Sequence, residues 1–220
     1  MDSVMRLILI GPPGSGKGTQ AKLLSQKFGL CHFGTGDILR EAVRLNTPAG
    51  KQAHPYVSSG QLVPDDLVNE MVADRFRRDD RPENFVMDGY PRTLAQAASF
   101  DQVLRQQFLD LDCVVVLLVP DEEIVRRLSG RRFCPKCQAT YHILFKPPKT
   151  AGICDECGST LVQREDDKEA TVRKRLQIYH QNNVDLLTHY RNQKLMREVD
   201  GAVPIELVFA KIVEVCKMQA

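Results

Sequence analysis

The stretch Gly11-Pro12-Pro13-Gly14-Ser15-Gly16-Lys17-Gly18-Thr19 constrains this chain more than any other. An apolar run, Leu7-Ile8-Leu9-Ile10, precedes it and reads as a buried strand. Gln20–Phe28 follows, with the apolar spacing of an amphipathic helix. A glycine-rich loop between a strand and a helix presents successive backbone N–H groups to a phosphate. Lys17 adds a mobile positive charge that can follow the outer phosphates. The pattern G-x-x-x-x-G-K-[ST] is met by Gly11, Gly16 and Lys17, but Gly18 stands where the hydroxyl is expected, and Thr19 supplies it one place later. A merely flexible turn would not need strand, loop, lysine and helix in this order. The stretch reads as a nucleotide-phosphate site.

The rest of the chain repeats the strand-then-helix rhythm. Further strands are expected at Leu30–Phe33, Phe85–Asp88, Asp112–Val119 and Leu195–Val199. Helices are expected at Asp37–Leu45, with Thr35 as its cap, and at Asp65–Arg78, Thr93–Phe108, Asp121–Leu128, Lys168–Tyr190 and Ile205–Lys217. Such alternation predicts an α/β fold, a parallel sheet with helices on both faces. Two segments depart from it: residues 36–63 look like a helical excursion, and 131–164 are rich in Cys, Pro and Gly. At 220 residues, 43% hydrophobic and 26% charged, the chain can bury one substantial core. A net charge of +2 offers no strong field for nucleic acid or an acidic membrane. No apolar run approaches the ~20 residues of a bilayer span, and no signal-peptide pattern opens the chain, so the cytoplasm is the expected location.

Four of the seven cysteines fall in two pairs, Cys134-Pro-Lys-Cys137 and Cys154-Asp-Glu-Cys157, sixteen residues apart. That spacing suits a closed, four-thiolate structural zinc site, one ion per chain. The segment is too short and polar for a core of its own, so metal would supply its folding energy. Cys31, Cys113 and Cys216 sit beside apolar residues and read as buried thiols. Arginine is a second theme: Arg40, Arg92, Arg127, Arg131, Arg164 and Arg175 lie near element ends or beside the cysteine segment. Planar guanidinium forks match the spread charge of a transferring phosphoryl group. Arg126, Arg132, Arg173 and Arg197 read as solvated surface. Asp37 and Asp88 follow strands, where a magnesium hydrate could be held. The five histidines show neither metal spacing nor a paired nucleophile.

These motifs together resemble the adenylate kinase family, in its long form with a zinc-bearing lid. The matching stretches are Gly11–Thr19, Thr35–Arg40, Gly60–Val63, Asp88–Arg92, Gly130–Arg132, Arg164–Asp167 and Thr171–Arg175, collinear over essentially the whole chain. The shifted hydroxyl is itself what that family shows; Tyr90 departs from a frequent Phe. The resemblance implies a P-loop fold with a five-stranded parallel sheet. Its core would comprise 1–33, 64–130 and 165–220, with an AMP-binding flap at 34–63 and the zinc lid at 131–164. It implies the reaction MgATP + AMP ⇌ 2 ADP. Gly14, Ser15, Gly16, Lys17, Gly18, Thr19 and Arg131 would hold ATP phosphates, with Arg127 near the base and Thr140 and Tyr141 also at ATP. Thr35, Arg40, Gln61, Leu62, Val63, Gly89, Tyr90, Pro91, Arg92 and Gln96 would form the AMP pocket. Arg164 and Arg175 would reach the AMP side and the transferring group, and Asp166 and Asp167 would help close the lid.

Two other readings compete. A kinase for another nucleotide, such as a UMP/CMP kinase or a GTP-dependent AMP kinase, shares the loop, but Thr35 and Gln96 favour AMP and the zinc lid favours the adenylate branch. A P-loop regulator binding nucleic acid through its zinc ribbon is disfavoured by Asp155, Glu156, Glu165, Asp166 and Asp167, which leave no basic stripe. A monomer acting on ATP, AMP and ADP, with no nucleic-acid or membrane partner, is the expectation.

Overall fold

The computed structural model describes residues 4–218. In chain order the elements are β1 (Arg6–Ile10), α1 (Lys17–Phe28), β2 (Cys31–Gly34), α2 (Thr35–Arg44), α3 (Pro48–Ser59), α4 (Asp65–Arg77), β3 (Phe85–Asp88) and α5 (Leu94–Gln106). They continue with β4 (Cys113–Leu118), α6 (Asp121–Ser129), β5 (Arg131–Phe133), β6 (Thr140–His142), a single 3-10 turn at Glu165–Asp167, α7 (Glu169–Asn192), β7 (Met196–Asp200) and α8 (Ile205–Val215). Among the described residues no helix is long and apolar enough to cross a membrane.

Five strands form one sheet in the order β2-β3-β1-β4-β7, every pairing parallel. Successive side chains on a strand point to opposite faces, and here both faces are covered. Ile8, Ile10, Met87, Val114 and Val116 meet Phe76, Tyr90 and Phe100 on one side. Leu7, Leu9, Val86, Val115 and Leu117 meet Ala21, Leu24, Val208 and Ile212 on the other. Burial on both faces is why β1 and β4 read as unbroken apolar runs rather than alternating ones. The carboxyl ends of β1, β2 and β3 turn directly into the glycine loop, α2 and the Gly89–Arg92 turn, so their side chains converge above one edge of the sheet.

Two details differ from the sequence reading. Helix α2 starts at Thr35, with Gly34 in the cap position. The Thr35 hydroxyl therefore does not cap; it donates to the Gly89 carbonyl at 2.9 Å, tying α2 to the turn after β3. The cysteine segment also has its own antiparallel hairpin, in which β5 pairs with β6 and Phe133 bridges to Val162.

Candidate active site

The glycine loop wraps the start of α1. Gly14 and Gly16 adopt φ of 80° and 96°, which L side chains rarely tolerate. Lys17 Nζ folds back to donate to the carbonyls of Gly11 and Pro12, both at 2.8 Å. Its pKa is lowered to about 8, first by burial; Asp88 opposes the shift, while Arg92, Arg175 and Arg131 add to it. Gly18 has a packing reason to lack a side chain: a methyl there would stand 3.1 Å from Asp88 Oδ2, so the acid at the end of β3 leans against the loop. Thr19, displaced by one position, is exposed.

Beside the loop, three segments far apart in sequence meet through hydrogen bonds. The Gly89 carbonyl accepts from Thr35 Oγ1 at 2.9 Å and from Arg92 Nε at 2.6 Å. Gln96 Oε1 accepts from the Arg92 backbone N–H at 2.7 Å, and Gln96 Nε2 donates to Asp65 Oδ1 at 2.7 Å. Gly89 sits at φ 80°, and a methyl on it would come within 2.9 Å of Arg92 Nη2. Tyr90 packs in the core, its hydroxyl donating to Asn69 Oδ1 at 2.7 Å, and the Tyr90–Pro91 peptide is cis. Val63 is buried in the same cluster, while Leu62 is half-buried and Gln61 exposed.

Across the cleft, arginines pair with acids from the turn before α7. Arg131 grips the wholly buried Asp167 through Nε at 2.8 Å and Nη2 at 2.5 Å. Arg175 Nη1 lies 3.0 Å from Asp166 Oδ2, and Arg40 Nη1 lies 3.9 Å from the same oxygen. Arg40 also binds Asp37 at 2.6 Å. Burial pushes the Asp37 carboxyl up, but the Arg40 guanidinium, by charge and hydrogen bond, with Arg164 and Lys22 behind it, brings its pKa below the usual value. The Arg164 guanidinium carbon lies over the Phe133 ring at 4.2 Å, and its Nε is buried without a partner. Its pKa falls to about 10 through burial first, then the charges of Arg40 and Arg131. Arg92 keeps solvent contact on the cleft floor, yet crowding there and the charge of Arg175 also bring it to about 10. Burial is the first cause of each of these shifts, so the cleft holds several cations partly out of water. Between α2, α3 and the cysteine segment lies a cavity of about 300 Å³, lined by Asp37, Arg40, Phe133, Arg164 and Asp166 among others.

Arg127 is at the margin, held by Glu123 at 2.8 Å and the Gly201 carbonyl at 2.9 Å. Thr140 is exposed. The Tyr141 ring packs inside the cysteine segment, and its hydroxyl accepts from the Asp155 N–H at 2.9 Å. Asp37 and Asp88 both lie near Gly34, which pairs with Asp88 across the sheet: a methyl on it would lie 3.6 Å from Asp37 Oδ2 and 3.2 Å from His32 Nε2, itself 3.8 Å from Asp88. Carboxylates so placed suit a hydrated hard cation.

The four paired cysteines are free thiols whose sulfurs lie within 4.8 Å of one another. Cys134 and Cys157 are 3.4 Å apart, as are Cys137 and Cys154. Tetrahedral ligation at ~2.3 Å per sulfur would set such separations near ~3.8 Å, so the group fits a metal ion with small adjustment. Three residues to which the sequence alone gives no site role shape the cleft and its surroundings. Asp65 anchors Gln96, Phe133 supports Arg164, and His142 Nδ1 accepts the N–H groups of Leu144 and Phe145 at 3.0 and 3.1 Å. Acids at a helix start and aromatics in a polar segment carry no spacing signal that could have singled them out.

A cationic cleft over a glycine loop, at the carboxyl edge of a parallel sheet, places the molecule among the P-loop phosphotransferases. The family model described as adenylate kinase matches residues 9–195, and the chain belongs to the adenylate kinase family. The adenylate kinase of Archaeoglobus fulgidus is 47% identical over 208 residues, covering 94% of this chain and 96% of its own. That of Caldicellulosiruptor saccharolyticus is 50% identical over 192 residues, covering 87% and 89%. That of Methanothrix thermoacetophila is 47% identical over 211 residues, covering 96% and 98%.

Proposed function

We propose that the chain's transfer of the γ-phosphoryl group from MgATP to AMP, giving two ADP, runs in the cleft between Lys17 and the arginines, with 34–63 and 131–164 closing as flap and lid. AMP's phosphate is already an anionic nucleophile, so no general base is required. The protein must align the two phosphates, neutralise charge and exclude water. Gly14–Thr19 and Lys17 would cradle the ATP phosphates, with Arg131 above them and Arg127, Thr140 and the Tyr141 backbone toward the base. Thr35, Arg40, Gln61, Leu62, Val63 and Gly89–Arg92 would enclose AMP, whose adenine meets Gln96. Arg92, Arg164 and Arg175 would share the phosphoryl group in flight. Magnesium, held through water by Asp37 and Asp88, would neutralise charge on the β- and γ-phosphates. Zinc, held by Cys134, Cys137, Cys154 and Cys157, would be structural, because four thiolates leave no open position. We take the working form to be a cytoplasmic monomer.

The observation that carries this reading is the convergence of Arg92, Arg131 and Arg175 on Lys17 at the end of the glycine loop, close enough for each guanidinium to bear on the lysine's charge. A coupled assay with AMP, CMP, UMP and GMP as acceptors tests it. AMP is expected to outcompete all three. Equal use of AMP and CMP overturns the acceptor assignment and leaves the phosphotransferase standing.

A further inference from the structure

The hydrogen bonds of Gln96 determine which way its amide faces. A carboxylate can only accept, so Asp65 Oδ1, at 2.7 Å, must meet the amide nitrogen. A backbone N–H can only donate, so Arg92 N, at 2.7 Å, must meet the amide oxygen. Asp65 is itself fixed, because Thr93 Oγ1 donates to its other oxygen at 2.8 Å while accepting from the Gln96 N–H at 3.1 Å. Flipping the amide would set donor against donor and acceptor against acceptor. One N–H and one lone pair of the amide stay uncommitted, and they form an oriented donor–acceptor edge.

We propose that Asp65, the first residue of α4, is a positioning residue that sets base specificity by locking the Gln96 amide in one orientation. Adenine offers an acceptor at N1 beside a donor at its 6-amino group, the complement of that edge. A 6-oxopurine offers a donor at N1 beside an acceptor at O6, which demands the flipped amide that Asp65 and Arg92 forbid. The inference rests on the reading that Gln96 meets the base.

The test measures kcat and KM for AMP and for inosine monophosphate, with MgATP, in the unmutated enzyme and in Asp65→Ala, Asp65→Asn, Asp65→Glu and Gln96→Ala. Asp65→Ala should reduce the AMP-to-IMP preference in kcat/KM about fivefold, mainly through a higher KM for AMP, since a contact to the base away from the reacting atoms is lost. Asp65→Asn should restore the preference to within about twofold, because its side-chain oxygen still accepts from Gln96. Asp65→Glu keeps the charge and the helix start but displaces the carboxylate, and should lower the preference as Ala does. An unchanged preference in Ala or Glu, with Gln96→Ala collapsing it, overturns the role of Asp65 and leaves the base reading intact. If Ala does not fold, the Glu and Asn pair decides, and an Asn variant as impaired as Glu overturns the orientation account. Gln96→Ala with an unchanged preference overturns the base reading itself.

Discussion

The sheet and the cysteine lid solve the same problem in opposite ways. In the sheet, Leu7, Ile8, Val86, Val114 and Val115 are wholly buried, and helices close both faces. Its order comes from apolar area removed from water. In the lid the buried residues are Cys134, Tyr141, Cys154 and Leu161, around two strands of three residues each. Ile143, Leu144 and Phe145 there are at least half exposed. So little apolar area is a weak hold on 34 residues, and a metal ion on the four sulfurs would supply the rest. A fold can thus keep a rigid apolar floor beside a small segment built on a different principle and tied to it by a few contacts, such as Ile143 N–H to the Gly130 carbonyl and Arg126 over the Phe145 ring.

Removing the metal should separate the two regions most sharply. Metal ligation in small thiolate modules is worth about 10–16 kcal/mol at neutral pH, far more than the lid's apolar contacts. After chelation, or in Cys154→Ser, hydrogen exchange should show residues 131–164 unprotected while β1, β3 and β4 keep their protection. Lid and sheet losing protection together would break the comparison. On the sheet side, Lys17→Ala should lower turnover about 10³-fold, since it removes one preorganised positive group from the developing charge. Its Tm should hold, because Nζ contacts only loop carbonyls and the Ser15 hydroxyl.

A pair of core truncations refines the picture. Phe100 stands edge-on to Phe76, Phe85 and Tyr90, and Phe100→Ala should cost about 3–5 kcal/mol of global stability in urea melts. Leu161→Ala should leave the global midpoint in place and instead speed metal loss to a competing chelator. The smallest effect is a proton. With Lys17 at about 8 in the free site against an ordinary 10.5, the native state binds fewer protons than the unfolded one between those values. The Lys17 contribution to stability therefore rises with pH across that window and is unfavourable below it. Phosphate arrival should restore the charge, so calorimetry in buffers of different ionisation heat should find proton uptake on ATP binding at pH 9, little at pH 6.5, and none at either pH from this group in Lys17→Met.

The sheet was legible because burial on both faces leaves a signal that needs no partner to read. Phe85–Asp88 was expected with the bounds it has, and β4 only lost a residue at each end. The start of α2 was misjudged because Thr35 looks like a cap in sequence, whereas its hydroxyl is claimed by Gly89, 54 residues away. Strands β5 and β6 were invisible, since three residues cannot display a period of two against a polar background. In the cleft, Lys17 and the arginines could be named singly, but their pairing with Asp166 and Asp167 is a property of the folded chain. Asp65 escaped notice for the same reason: an acid in the first turn of a helix reads as dipole compensation until its partner is seen.

Phe133 and Val162 exchange hydrogen bonds at 2.8 and 2.9 Å, so the chain enters and leaves the lid at neighbouring points. A segment that departs and returns through one gate imposes no distance on the sheet below, whatever lies between. The 28 residues from Cys134 to Leu161 hang from that gate, with His142, Ile143 and Phe145 reaching back to Arg126 and Gly130. Changes of length inside the loop would therefore be absorbed above the gate, as long as the Phe133–Val162 pair and those contacts were kept.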